Sequence, residues 1–280
     1  MHEYEVQVAH IVKRPSKICK SPYMADIIID DNEYLAHSPS LGCSGLTDKD
    51  CCVYVIQNKQ NTNTKSTHKI MFAQVNETWD DDIYSSIVCT HPQIAEDIVS
   101  HALQNNLLNN IKAASFQSQV TFGTSRFDFS GIDDTGTKFI IEVKCVPVAD
   151  YHNVSKQAKK HMIKENEFYD KHPNEKMAIF PDGYVKPSKD KTPRPQSERA
   201  NKHICELTEI KRDQNIRTIM IYVVQRSDCN KFVISDLDPV YKNNVNIANE
   251  NGVEIYYIQM EWKYENNIMK GNIIGEYKYL

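Results

Sequence analysis

No run in this 280-residue chain approaches the roughly 18 consecutive apolar residues of a membrane span. The opening Met-His-Glu-Tyr-Glu-Val lacks the charged-then-apolar layout of a signal peptide. There is no C-x-x-C pair, and none of the eight cysteines stands at zinc spacing from a histidine, so a structural zinc is not expected. A Walker-type Gly-rich loop and a G-x-S-x-G elbow are both missing, which argues against P-loop nucleotide hydrolysis and disfavours serine-triad chemistry. These absences point to an intracellular, cytoplasmic protein without a membrane segment, whose cysteines are reduced and several of which serve as small apolar residues.

What is present is ordinary in bulk and uneven in distribution. Charged residues at 25% and apolar residues at 40% suit a soluble globular chain of one large domain or two modest ones. A formal net charge of −4 argues against a general nucleic-acid coat. Residues 1–100 hold fourteen Asp/Glu against eight Lys/Arg, whereas residues 186–217 hold nine Lys/Arg against five Asp/Glu. A basic stripe confined to one segment fits a local phosphate contact or a solvated loop.

The pattern with most chemistry in it is Arg126-Phe127-Asp128-Phe129 followed by Glu142-Val143-Lys144. Both halves read as strands, and Gly131-Ile132-Asp133-Asp134-Thr135-Gly136 between them is a turn signal, so the two form a hairpin. Alternation puts Glu142 and Lys144 on one sheet face, and turns Asp128 away from Phe127 and Phe129. Two carboxylates and an ammonium then meet. That set suits Mg²⁺ or Mn²⁺, which takes one or two carboxylates plus water and substrate phosphate. The spacing alone equally fits the wet face of a half-buried sheet.

Short strands at Tyr4–Val12, Tyr23–Ile29, Tyr34–His37, Cys52–Gln57 and Lys69–Val75 predict a small barrel or sandwich over residues 1–90. A composition shift at 76–82 leads into a helix with Pro92 near its start. Strands over Val120–Phe129 and Phe139–Val148 follow. A basic helix carries Lys156, Lys159, Lys160 and Lys164 opposite Val154, Ala158, Met162, Phe168 and Tyr169. Glu198–Arg212 is a further helix capped by Ser197, Thr218–Gln225 an apolar strand, Pro239–Asn251 a helix and Val253–Trp262 a last strand. That order predicts an α/β domain with a mixed central sheet over residues 91–280.

Other groups could join the site. Phe180-Pro181-Asp182-Gly183 is a turn by its own chemistry, or it places Asp182 at a strand end near a metal. Along the Glu198 helix, Arg199, Lys202 and His203 are either an exposed polar stripe or a phosphate grip, with Ala200, Ile204, Leu207 and Ile210 as the buried side. Gln225 ends the apolar strand and could face the same cleft. Glu96 and Asp97 begin the first long helix, where a carboxylate is favoured by the helix dipole with or without catalysis. Tyr4, Tyr23, Tyr34 and Tyr54 either pack the barrel or stack on bases.

Taken in order, Ser125-Arg126-Phe127-Asp128-Phe129, Glu142-Val143-Lys144, Phe180-Pro181-Asp182, Lys202-His203 with Glu206-Leu207, and Val223-Val224-Gln225-Arg226-Ser227-Asp228 resemble the sugar fermentation stimulation protein A family. Asp238-Pro239 and Gly252-Val253-Glu254-Ile255 fit as well, and Leu35-Ala36-His37-Ser38-Pro39-Ser40-Leu41-Gly42 fits more loosely. The resemblance covers nearly the whole chain. It implies an N-terminal OB-like β-barrel followed by a PD-(D/E)xK nuclease-like domain that binds DNA, single strands included. In that frame Asp128 and Glu142 hold Mg²⁺ or Mn²⁺, and Lys144 is the catalytic lysine. Asp182 and His203 fall at neighbouring family-motif positions. From the residues themselves, Glu96 and Gln225 join Asp182 as auxiliary candidates, and Arg126, Arg199, Lys202 and His203 are candidate nucleic-acid contacts. The chain departs from the family pattern at an insertion over 151–176, at a lengthened loop over 185–197, and at Ser100 and His101, where the family's helix has acidic residues. The competing reading from another class is a non-catalytic DNA-binding regulatory protein with the same fold.

Overall fold

Several strand breaks fall where a pair of Asp or Asn residues can take left-handed backbone. Asp30-Asp31, Asp80-Asp81 and Asn266-Asn267 all have positive φ, as both central residues of the commonest two-residue hairpin turn require. Each pair joins two antiparallel strands. The computed structural model describes residues 2–41, 43–59, 65–164, 171–182, 194–214 and 216–279. Gly183, the lysines at 186, 189 and 191, most of the expected loop over 185–197, and Phe168 and Tyr169 of the expected helix face lie outside the described residues.

The first part comprises β1 (His2–Glu5), β2 (Gln7–Lys13), β3 (Met24–Ile29), β4 (Asn32–His37), β5 (Cys52–Gln57), β6 (His68–Trp79) and β7 (Asp82–Cys89). Strands β2, β3, β4, β6 and β5 close into a ring, because β4 pairs β6 in parallel with Ala36 opposite His68. Ala9, Ile11, Ala25, Ile27, Val53, Val55 and Ile70 fill its interior. The ring is consistent with the expected OB-like barrel. Strand β7 was not foreseen: residues 76–82 continue β6 through the Asp80-Asp81 turn instead of leading into a helix.

The remainder runs α1 (Pro92–Gln104), β8 (Ala113–Phe122), β9 (Ser125–Asp133), β10 (Lys138–Val146), β11 (Ala149–Asp150), α2 (Lys156–Lys164), β12 (Lys176–Phe180), α3 (Glu198–Asp213), β13 (Arg217–Val224), β14 (Cys229–Ile234), α4 (Pro239–Glu250), β15 (Glu254–Glu265) and β16 (Ile268–Lys278). A seven-stranded mixed sheet has the order β1-β16-β15-β13-β10-β9-β8, and β11, β12 and β14 form a small second sheet. The single strand expected over Val120–Phe129 is two strands, because Gly123 (φ 61°) turns the chain back on itself. The last strand, β16, also lay beyond the sequence reading.

Helices cover both faces of the large sheet. Ile94, Ile98 and Ala102 of α1 pack on Ile141, Val143, Ile219, Ile221 and Val223. Ala200, Ile204 and Leu207 of α3 pack with Tyr241, Val245 and Ala248 of α4 on Ile140, Met220, Tyr222 and Val224. Burial of Ile204 and Leu207 contributes about 1.5–3 kcal/mol each, enough to hold a polar residue of the same helix against the sheet. Ser197 caps α3 as expected, its side chain accepting from the Ala200 amide. Strand β1 pairs β16 and not the ring, and Val6, Tyr54, Met71 and Phe72 share the α1-side core. The ring and the large sheet therefore share packing across residue 90.

Candidate functional site

The hairpin of β9 and β10 is a ladder that opens at one end. Pairing runs from Lys138 opposite Ile132 to Ile141 opposite Phe129 and then stops. At the next position Oδ2 of Asp128 accepts from the Val143 amide at 2.7 Å, so a side chain takes over from the backbone. On the other side of β9, Ser118 pairs Phe129 and Val120 pairs Phe127. Gln119, between them, is left-handed at φ 56°. The sheet forks at Asp128. Alternation breaks there too: Phe127 joins the α3-side core and Phe129 the α1-side core, where the sequence placed both on one face.

Glu142 and Lys144 share the α3 face, as expected. Glu142 is 1% exposed. Its Oε1 accepts from Lys144 Nζ and from His203 Nδ1. Its Oε2 is buried and has no hydrogen-bond partner. Burial works against ionisation of Glu142, but the His203 and Lys144 contacts outweigh it and hold the carboxyl below its ordinary range. An ionised carboxylate only accepts, so Nδ1 of His203 carries the proton in that bond.

The second carboxylate behaves oppositely. Burial first, and the Glu142 charge next, push the Asp128 carboxyl up to about 7, against the opposing bond from the Val143 amide. Glu96, one turn into α1, is drawn in through Gln119, whose Nε2 donates to Glu96 at 2.6 Å and reaches Asp128 Oδ1 at 3.5 Å. Burial raises the Glu96 carboxyl, and the Asp97 and Glu142 charges add to the effect. Gln119 was missed by sequence reasoning. A glutamine on a polar strand carries no signal; only its left-handed backbone opposite the fork marks it.

Not every expected residue is brought in. Gln225 is fully buried on the α1 side of the sheet, where its Oε1 accepts from Trp262 Nε1 at 3.3 Å. It shares the side of Val223, one register step from the face that holds Glu142, which corrects its assignment to the cleft. His203 is corrected as well: 4% exposed, it belongs to the buried side of α3, since 200, 203, 204 and 207 make one helical stripe. Arg126, Arg199 and Lys202 are exposed. Lys202 Nζ donates to the Thr124 carbonyl at 3.2 Å, and Thr124 donates to Glu206 at 2.6 Å, which ties α3 to the turn before Arg126. Asp182 is exposed after β12 and accepts from Ser44 of the first part. Tyr54 is buried, and Tyr4 packs on Phe72 and Trp262; Tyr23 and Tyr34 remain exposed beside His37 and His68.

Residues 93–162 and 172–266 match the family pattern described as the sugar fermentation stimulation protein RE domain. The chain belongs to the sugar fermentation stimulation protein family. Relatives named sugar fermentation stimulation protein homolog are similar along most of their length. That of Clostridium novyi (strain NT) is 25% identical over 254 residues, covering 90% of this chain and 89% of the relative. That of Bartonella tribocorum is 27% identical over 252 residues, covering 88% and 87%. Among solved structures, SfsA of Pyrococcus furiosus in complex with Ca²⁺ superposes with a TM-score of 0.67 at 14% identity, covering 97% of this chain and 94% of that one. The fold is thus the mixed α/β, sheet-dominated fold of this family. Between the two matched segments only 163–171 is unmatched by the family pattern, a narrower gap than the insertion read from the sequence.

Among the described residues, no three His, Cys, Asp or Glu side chains are grouped as a metal-ligand set, and no helix is long and apolar enough to cross a membrane. A cation needing many protein ligands does not fit. A hard cation that keeps its waters and takes one or two carboxylates does fit, given the bare Oε2 of Glu142 beside Asp128.

Proposed function

We propose that this chain is a divalent-cation-dependent phosphodiesterase acting on DNA, with a site of the PD-(D/E)xK nuclease type at the fork of the large sheet. The observation that carries the reading is Oε2 of Glu142, buried without a partner next to a second carboxylate. An unsatisfied buried polar atom costs about 1–3 kcal/mol, and more when charged. Keeping one is reasonable where a ligand completes it. Asp128 and Glu142 would hold Mg²⁺ or Mn²⁺, with Glu96 as an auxiliary oxygen donor. The P. furiosus relative was solved with Ca²⁺, another hard cation of oxygen ligands, which supports the choice.

When bound, the cation would supply Lewis acidity and charge neutralisation at the phosphate. The protein's own groups do the remaining tasks. Lys144, already directed to Glu142 Oε1, has further N–H donors to orient the attacking water and to stabilise charge that develops on the phosphate. Arg126, Arg199 and Lys202, exposed on β9 and α3, would hold flanking phosphates and position the strand without reading its sequence. Asp182 would lie at the rim, where β12 meets Ser44.

The test is cleavage of labelled single- and double-stranded DNA with and without Mg²⁺ or Mn²⁺, comparing wild type with Asp128→Ala and Lys144→Ala. Cation-dependent cleavage should fall by on the order of 10²–10³ in Lys144→Ala and vanish in Asp128→Ala. Unchanged cleavage in both variants would sink the assignment. Salt-sensitive binding without turnover would instead assign a non-catalytic DNA-binding protein.

A further inference from the structure

The two oxygens of Glu142 stand in opposite conditions. Oε2 is bare, whereas Oε1 takes both His203 Nδ1 and Lys144 Nζ. The histidine is not loose. His203 is locked in the buried stripe of α3 between Ala200 and Leu207, its ring tilted on Phe127 with centroids 5.7 Å apart. Lys144 Nζ lies 3.5 Å from the same Nδ1, so two donors converge on one acceptor oxygen. A carboxylate with one oxygen committed in this way cannot bring both oxygens onto an ion. Cations differ in how much that matters. Mg²⁺ requires near-octahedral geometry with short bonds and retained waters, while Ca²⁺ readily takes carboxylates bidentate in larger, more flexible shells.

We propose that His203 is a positioning residue that, by holding Oε1, confines Glu142 to one-oxygen coordination and so biases the site toward Mg²⁺ over Ca²⁺. The inference rests on the cation site proposed above. It gives His203 a role that requires burial, unlike the phosphate contact read from the sequence. It also separates the two donors: Lys144 can turn toward substrate while His203 keeps Glu142 in place. Groups behind a ligand commonly change metal affinity about 10–100-fold when removed.

Side-chain length allows a clean test. The amide nitrogen of Asn stands as many bonds from Cα as Nδ1 of His, and that of Gln as many as Nε2. His203→Asn therefore keeps a donor near Oε1, His203→Gln moves it away, and His203→Leu removes it. Calorimetric titration of the full chain with MgCl₂ and with CaCl₂ reads the ratio of the two affinities, with thermal melts confirming that each variant is folded. Expected is a loss of Mg²⁺ affinity of roughly 10–100-fold in the Gln and Leu variants. Ca²⁺ should lose less, shifting the preference toward Ca²⁺, and the Asn variant should stay within a few-fold of wild type. A wild-type Mg²⁺-to-Ca²⁺ ratio in whichever of the Gln and Leu variants folds overturns the positioning role alone. Failure of the wild-type chain to bind either cation overturns the cation site together with it.

Discussion

Two of the buried-charge clusters among the described residues, both built from acidic and basic side chains, are satisfied to opposite degrees. In the first, Lys176 Nζ meets Glu77 and Asp228 at 2.7 Å each, and Arg226 clasps Asp228 with two bonds of 2.6 and 2.7 Å. Tyr151 adds its hydroxyl to Glu77 at 2.6 Å. Two cations face two anions, and no side-chain atom of these charged groups is both buried and unpartnered. The cluster ties β6 of the ring to β12 and to the segment between β13 and β14. In the second, Glu96, Asp128 and Glu142 face Lys144, with one carboxylate oxygen left bare. A complete network fixes structure; an incomplete one leaves an acceptor free for something outside the chain. In the first cluster burial opposes Asp228 ionisation, but Arg226 and Lys176 more than offset it and hold the carboxyl down; in the second, Glu142 is held down while Asp128 is pushed up.

That contrast can be broken from either side. The largest effect is expected from Asp228→Ala, which strands Arg226 and Lys176 in the interior. Urea denaturation should show a loss of about 3–5 kcal/mol. Next comes Lys144→Met, expected to lower kcat/KM for DNA cleavage by on the order of 10²–10³, or about 2.7–4 kcal/mol of transition-state stabilisation, while circular dichroism still shows a folded chain. If Lys144→Met unfolds the protein and Asp228→Ala does not, the two clusters have been assigned the wrong way round.

Acid separates them further. The folded carboxyl of Asp228 is depressed, so its contribution is fully present above the unfolded value of about 3.9. It is lost as pH falls through the lower folded value. The gap in urea midpoint between wild type and Asp228→Ala should be constant from neutral pH to about 5 and close below about 4. A gap independent of pH would contradict the pairing. A smaller effect is expected from Ser197→Ala, which removes the cap of α3 and with it about 1 kcal/mol, measurable by the same denaturation. Smallest is Asp128→Asn. The Asn carbonyl still accepts from the Val143 amide while one of three crowded charges disappears, so the melting temperature should hold or rise as cleavage is lost. A drop like that of Asp228→Ala would place Asp128 in the structural class.

Much of this was legible in the sequence, for identifiable reasons. The β9–β10 hairpin announced itself through alternation and a Gly-bounded turn, and α3 through Ser197 and its apolar spacing. Strands β8 and β16 did not, because β8 is a largely exposed edge strand whose alternation is broken by the left-handed Gln119, and β16 follows a turn of two asparagines with little alternation after it. His203 was recoverable: its spacing from Ala200 and Leu207 already put it on the buried stripe. Gln225 was not, since the side it takes depends on the register of β13 against β10, which parity along one strand cannot supply. Nor could alternation foresee Phe127 and Phe129 parting, because the side chain of Asp128 replaces a backbone acceptor just where the ladder opens.

The most direct measurement is a crystal structure of the protein soaked in Mn²⁺, with anomalous scattering used to place the ion. One ion should appear bonded to Oε2 of Glu142 and to Asp128, with Oε1 still held by His203 and Lys144. An ion bound elsewhere, or an empty fork at millimolar Mn²⁺, would contradict the account.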